Sequence, residues 1–194
     1  MVRLRLELSV MVTPQIQAER ERVLAVDPSL RGTGYAVLER IKGAGARGET
    51  VLRALTWGVV RNPPGLLQSG CLVAIHGKIQ EILTEFSPGS AAFESVIYVQ
   101  SYKTAIVLGC ARGAAILAVA ASGVPIFEYA PRRIKQAVVG RGGAQKEQVA
   151  FMVRALLGLS ETPQADAADA LAVGLTHFQA LDHARLRVAP LERI

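Results

Sequence analysis

Three short apolar runs, separated by turn residues, come first, and long segments of helical period alternating with further short runs follow. That order limits the possible folds more than any other feature of the chain. Residues 23–26 form an aliphatic run that ends at Asp27 and reads as a buried strand. Pro28-Ser29-Leu30-Arg31-Gly32 is a turn, and residues 33–39 resume as a second strand, so the pair reads as a hairpin. A glycine-bearing loop at 42–49 leads to a third strand at 51–60, which Pro63 and Pro64 end. Residues 66–86 carry apolar side chains at helical spacing, and Pro88-Gly89 closes them. A strand at 91–96, a helix at 103–121 and a strand at 124–129 follow. Helices are expected at 131–138, at 145–157 and from Thr162-Pro163 to about Gln179. The expectation is an α/β protein with a mixed five-stranded sheet flanked by helices, its first three strands antiparallel neighbours.

The 194 residues suit one domain at 21–180, with an N-terminal extension (1–20) and a charged C-terminal tail (181–194). Half the residues are hydrophobic (51%) and a fifth charged (20%), which excludes a largely disordered chain. A net charge of +6 favours a polyanionic partner, although charge alone discriminates poorly. Cys71 and Cys110 sit in apolar runs without metal-ligand spacing and read as small buried hydrophobes, compatible with a reducing cytosol. The longest apolar stretch, 114–124, is too short to span a bilayer, so no membrane is expected as a partner. The first ten residues alternate charge with apolar side chains and lack the core of a signal peptide. A cytoplasmic location is expected.

Four acids occupy unusual places. Asp27 ends a buried strand, Glu94 lies within one, and Asp166 and Asp169 share a face of an alanine-rich helix. Each has an ordinary explanation: Asp27 as a turn residue, Asp166 as a first-turn acid, Glu94 as a strand end. Taken together they suggest carboxylates converging at one edge of the sheet, where they repel one another unless divalent cations intervene. Such a pair of metals is the clamp used for in-line phosphodiester hydrolysis. Arg132, Arg133, Lys135, Arg141 and Lys146 cluster around the loop Gly140-Arg141-Gly142-Gly143; by composition alone, a solvated face and a phosphate contact are equally good readings.

The segments VLAVDPSLRGTGYAVLE, AAFESV, VLGCARGAAI, PIFEYAPRRIKQAVVGRGGAQKEQVAFMVRALL and PQADAADALAVGLTH closely resemble, in order, the RuvC family of Holliday-junction resolvases. The resemblance implies a ribonuclease H-like fold with catalytic, metal-binding acids at Asp27, Glu94, Asp166 and Asp169. It also implies two Mg²⁺ per site, with Mn²⁺ as a substitute, and a homodimer that cuts four-way junction DNA in recombination and repair. The implied partner is the branch-migration motor RuvAB. By the match KQAVVGRGGAQK, Lys135 and Lys146 face DNA phosphates, and Arg132, Arg133 and Arg141 belong to the same DNA-binding set. Relatives often place an aromatic wedge three residues after the strand acid; here that position is Ile97, and either Ile97 or its neighbour Tyr98 is expected to serve. The turn DPSLRGTG carries Ser29 where relatives often have glycine. His177 reads as structural.

Two other readings compete. One is an actin-like ATPase or sugar kinase, suggested by VDPSLRGTG, for which the chain is short of a second lobe. The other is a catalytically inactive ribonuclease H-like DNA-binding module, against which the intact acids argue.

Overall fold

The sheet alternates its side chains between two helical layers, and that alternation decides where each acid points. The structure, a computed structural model, describes residues 19–45, 48–96, 101–186, 191, 193 and 194. Strands β1 (Arg20–Asp27), β2 (Gly32–Ile41) and β3 (Val51–Arg61) pair antiparallel in sequence, while β4 (Ser90–Glu94) runs parallel to β1 and β5 (Ile126–Tyr129) parallel to β4. The spatial order is β3-β2-β1-β4-β5. The expected mixed five-stranded sheet is therefore present.

Helices α1 (Gln68–Phe86) and α2 (Tyr102–Ala121) cover one face. Their Ile75, Ile79, Ala111, Ala115 and Val119 pack on Leu24, Val26, Val37 and Phe93 of the sheet. The other face carries α3 (Pro131–Val139), α4 (Lys146–Leu157) and α5 (Ala165–Arg185), packed on Val23, Ala25, Leu38, Ala92 and Tyr129. Strand side chains alternate faces, so Asp27 follows Val23 and Ala25 onto the α5 side, and Glu94 follows Ala92 there.

Several boundaries move. The fourth strand ends at Glu94 rather than residue 96, so Glu94, like Asp27, is the last residue of its strand. The last helix starts at Ala165 because the Gln164 side chain accepts from Arg61 Nη2 (2.5 Å) while its backbone stays extended. It runs on to Arg185 because Asp182 in its final turns is held by Arg40 (2.8 Å), a strand residue that also pairs with Glu21 (2.7 Å). Deep in the sheet, Glu39 is fully buried between Arg22 and Arg53, its partners on the two flanking strands. Burial pushes its carboxyl up, but the two guanidinium groups hold it below the ordinary range.

The expectation that no segment reaches membrane-spanning length needs correcting. Helix α2 is long and apolar enough to meet that criterion by length and composition alone, with only Lys103 and Arg112 charged. Arg112 divides the helix into two shorter apolar runs, so no single unbroken run reaches that length. In the fold Ala111, Ala115, Ala118 and Val119 of α2 enter the core. Cys71 is buried as expected, and Cys110 is half-buried.

Candidate active site

The carboxyl ends of β1 and β4 lie side by side, and the amino end of α5 crosses above them. The turn after β1 is tied by its own side chains: Thr33 Oγ1 donates to the Ser29 carbonyl (2.5 Å), and the Gly32 amide donates to Ser29 Oγ (3.2 Å). Ser29 thus closes the turn, and Asp27 leaves the strand in a fixed direction. The end of β4 is pinned from the opposite layer. Arg112 of α2 donates to the Glu94 carbonyl (2.8 Å) and pairs with Glu128 on β5.

Two glycines bring α5 down onto the sheet. Gly34 is the cross-strand partner of Asp27, and a β-carbon on it would stand 2.0 Å from the Asp166 carbonyl oxygen. A β-carbon on Gly32 would lie 2.8 Å from Asp166 Oδ2. Farther along, a β-carbon on Gly174 would lie 2.4 Å from Leu38 Cδ1. At Gly34 the obstacle is backbone, so only glycine permits that approach; at Gly32 and Gly174 it is the end of a side chain. The spacing of the helix acids then sets Asp169 one turn deeper than Asp166.

Asp27, Glu94 and Asp169 line a pocket of about 480 Å³, together with Lys135, Lys146, Ile134 and Leu108. Asp166 stands beside it, against Gly32. Burial, then repulsion from Glu94 and Asp169, pushes the Asp27 carboxyl up to about 7; Lys146 opposes the shift and Asp166 adds to it. Glu94 is also raised, by burial and by Asp169, against the pull of Lys146 and Lys135. Lys146 Nζ lies 3.0 Å from Asp169 Oδ2, and that hydrogen bond raises the lysine's pKa. Among the described residues no three acidic, histidine or cysteine side chains close around a single point. Asp27, Glu94 and Asp169 line an open pocket, with Lys146 bonded to Asp169 and Lys135 on the same wall.

The structure therefore brings Asp27, Glu94 and Asp169 together with Lys135 and Lys146 around one pocket, with Asp166 beside it. The other basic residues sit outside the pocket. Arg132 packs under the glycine loop, where a β-carbon on Gly142 would meet its Cγ at 2.5 Å. Arg133 lies over the Tyr129 ring (5.1 Å), and Arg141 is exposed on the loop. Ile97 and Tyr98 fall outside the described residues. His177 is fully buried in α5, bonded to Ser90 Oγ (2.9 Å) and the Tyr129 hydroxyl (2.7 Å). Burial, helped by Arg40, lowers its pKa to about 4, so it is a neutral structural group. The sequence reading did not identify Gly32, Gly34 and Arg112 as positioning residues; the signal available for the glycines was the Gly-Thr-Gly that opens β2.

A mixed sheet in this order, with acids at the carboxyl ends of its central parallel pair and more on a helix crossing them, defines a nuclease of the ribonuclease H-like class. Within that class, the profile described as crossover junction endodeoxyribonuclease RuvC matches residues 23–177. A protein of that name from Akkermansia muciniphila is 51% identical over 161 residues, covering 83% of this chain and 92% of the relative. One from Idiomarina loihiensis is 44% identical over 156 residues, covering 80% and 85%. The solved structure of T. thermophilus RuvC in complex with Holliday junction substrate superposes with a TM-score of 0.77 at 34% identity, covering 90% of this chain and 99% of that one. The chain belongs to the RuvC family of crossover junction endodeoxyribonucleases.

Proposed function

We propose that this chain resolves four-way DNA junctions by hydrolysing phosphodiester bonds at the Asp27–Glu94–Asp166–Asp169 cluster, with divalent cations held by those carboxylates. The observation that carries the metal reading is the crowding itself. A carboxyl pushed to about 7 by burial and by its acidic neighbours marks a site with more negative charge than it can hold alone. The donors are hard carboxylate oxygens, which suit Mg²⁺ and also Mn²⁺. Two such ions would supply an activated water and neutralise charge on the phosphodiester oxygens during in-line displacement. Asp27 and Glu94, fixed by the strand ends, face Asp166 and Asp169 on the helix, so the cluster grips from two sides.

Lys146 balances Asp169 in the protein alone. With cations bound to the acids, its ammonium would be free to meet a phosphate, and Lys135 on the pocket wall would offer a second contact. Arg132, Arg133 and Arg141 flank these positions and extend the basic surface. By the family resemblance, either Ile97 or Tyr98 would serve as the wedge at the branch point.

The active species in this reading is a twofold dimer with one acidic site for each of two opposing strands. On α2 the core takes Ala111, Ala115, Ala118 and Val119, and α1 packs along the same helix. Ile106, Gly109, Gly113 and Leu117 remain exposed at helical spacing, with Ile106 and Leu117 65% and 61% exposed. That stripe is the proposed interface. Ala115, which the composition of the helix alone would place at such an interface, faces the core. Family resemblance implies a RuvAB-type motor as partner, and the cysteine usage fits a cytoplasmic setting. The direct test is cleavage of a four-way junction with and without Mg²⁺.

A further inference from the structure

The pocket accounts for only one flank of the carboxylate cluster. A nucleic-acid strand has neighbours on both sides of the bond that is cut, and the surface past Asp166 is one route open to it. There the surface holds a second groove, of about 460 Å³, between β3 and the loop joining α4 to α5. Its walls include Trp57, Arg61, Leu159, Thr162, Gln164 and Ala167.

Its position follows from the register. Arg61 is the cross-strand partner of Gly32, whose α-carbon abuts Asp166, and Trp57 is the partner of Ala36. Cross-strand partners share a face, so Trp57 lies on the same side of the sheet as α5 and the acids. Strand spacing puts it roughly 12 Å from Asp27, a few nucleotides of chain. Trp57 is 40% exposed, a large aromatic surface left open on an edge strand. Arg61 is exposed and bonds Gln164 Oε1, which leaves the α5 amino terminus without a side-chain cap where Ala167 meets the groove. Glu161 on the opposite rim disfavours phosphate there, so the charge preference falls on the Arg61 side.

We propose that this groove binds the cleaved DNA strand beyond the scissile phosphate, with Trp57 stacked on a base and Arg61 against the backbone. A flat aromatic beside a cation is the combination that holds a base freed from its pair, as at a branch point, without reading its sequence. The proposal rests on the nuclease reading of the acids, and its test separates the two.

Trp57 is the chain's one tryptophan and reports on itself. The full chain is titrated with an immobile four-way junction in Ca²⁺, following tryptophan emission and gel mobility in parallel, and cleavage is timed separately in Mg²⁺. Emission should change and saturate at the midpoint of the gel shift. Trp57→Ala should raise KM about fivefold or more with kcat within about twofold, and Trp57→Phe should recover most of the loss. Arg61→Ala should lower the salt slope of binding by about one. Unchanged emission on a junction that is bound and cut normally overturns the groove and leaves the nuclease standing. Absence of any gel shift or cutting overturns both. Emission that responds to protein dilution and not to DNA assigns the groove to a second copy of the chain and also overturns the proposal.

Discussion

Asp27 concentrates the residue-scale argument, because the forces that raise its pKa are the forces that would recruit a cation. In the folded, metal-free protein it keeps its proton up to about pH 7, against 3.8 ordinarily. Between those values the unfolded chain binds fewer protons than the folded one, so stability falls as pH rises through the window and the penalty is complete above about 7. Asp27→Asn removes that penalty. In chelator at about pH 8 the variant should be more stable than the parent by roughly 1–2 kcal/mol, a figure discounted for the site's solvent exposure, and the gain should vanish near pH 4. Denaturant unfolding at the two pH values checks this, and equal stabilities at pH 8 would contradict it. The same variant should bind junction DNA yet cut it at least about a hundredfold more slowly, because an amide replaces a carboxylate ligand poorly. Gly34 makes the complementary case from packing. A β-carbon 2.0 Å from the Asp166 carbonyl cannot be accommodated in place, so Gly34→Ala should cost about 1–3 kcal/mol in thermal unfolding and misplace the helix acids.

Elements turn those residues into a site, and here the sequence is unevenly informative. The alternation of β1 is legible: Val23 and Ala25 share a period-2 face with Asp27, and the fold honours it. The pair Asp166 and Asp169 is legible as one helix face. Less legible are the contacts that carry the geometry. Nothing in the local pattern says that Arg112, midway along an apolar helix, reaches across to the Glu94 carbonyl, or that Gln164 is drawn from capping α5 by Arg61. These depend on which elements become neighbours, a property of the whole sheet order. The end of β4 shows the same limit, since Val96 continues the apolar run in sequence while the strand stops at Glu94. Lys135 on α3 and Lys146 at the start of α4 test this scale. Lys135→Ala and Lys146→Ala should each weaken binding on every junction sequence alike and flatten the salt dependence by about one unit of slope. A shifted cutting preference with an unchanged slope would contradict their assignment to phosphates.

At the scale of the molecule, the account joins a charge-crowded cleft on one side of the sheet to an apolar stripe on the other. Leu117→Glu places a charge on the exposed face of α2 without entering the core, so it should leave a folded chain that sediments as a monomer at micromolar concentration. A variant that stays dimeric would move the interface elsewhere. Whether the four carboxylates cut junction DNA by way of divalent cations is decided by one cleavage series. A labelled four-way junction is incubated with the wild-type chain in Mg²⁺, in Ca²⁺ and in excess chelator, with Asp27→Asn in Mg²⁺ alongside. The account predicts paired incisions on opposing strands in Mg²⁺ and binding with little cutting in Ca²⁺, whose longer and looser coordination spoils the in-line geometry. No product is expected in chelator, and the variant should cut at least about a hundredfold more slowly. Robust cutting in chelator, or normal cutting by Asp27→Asn, would contradict it.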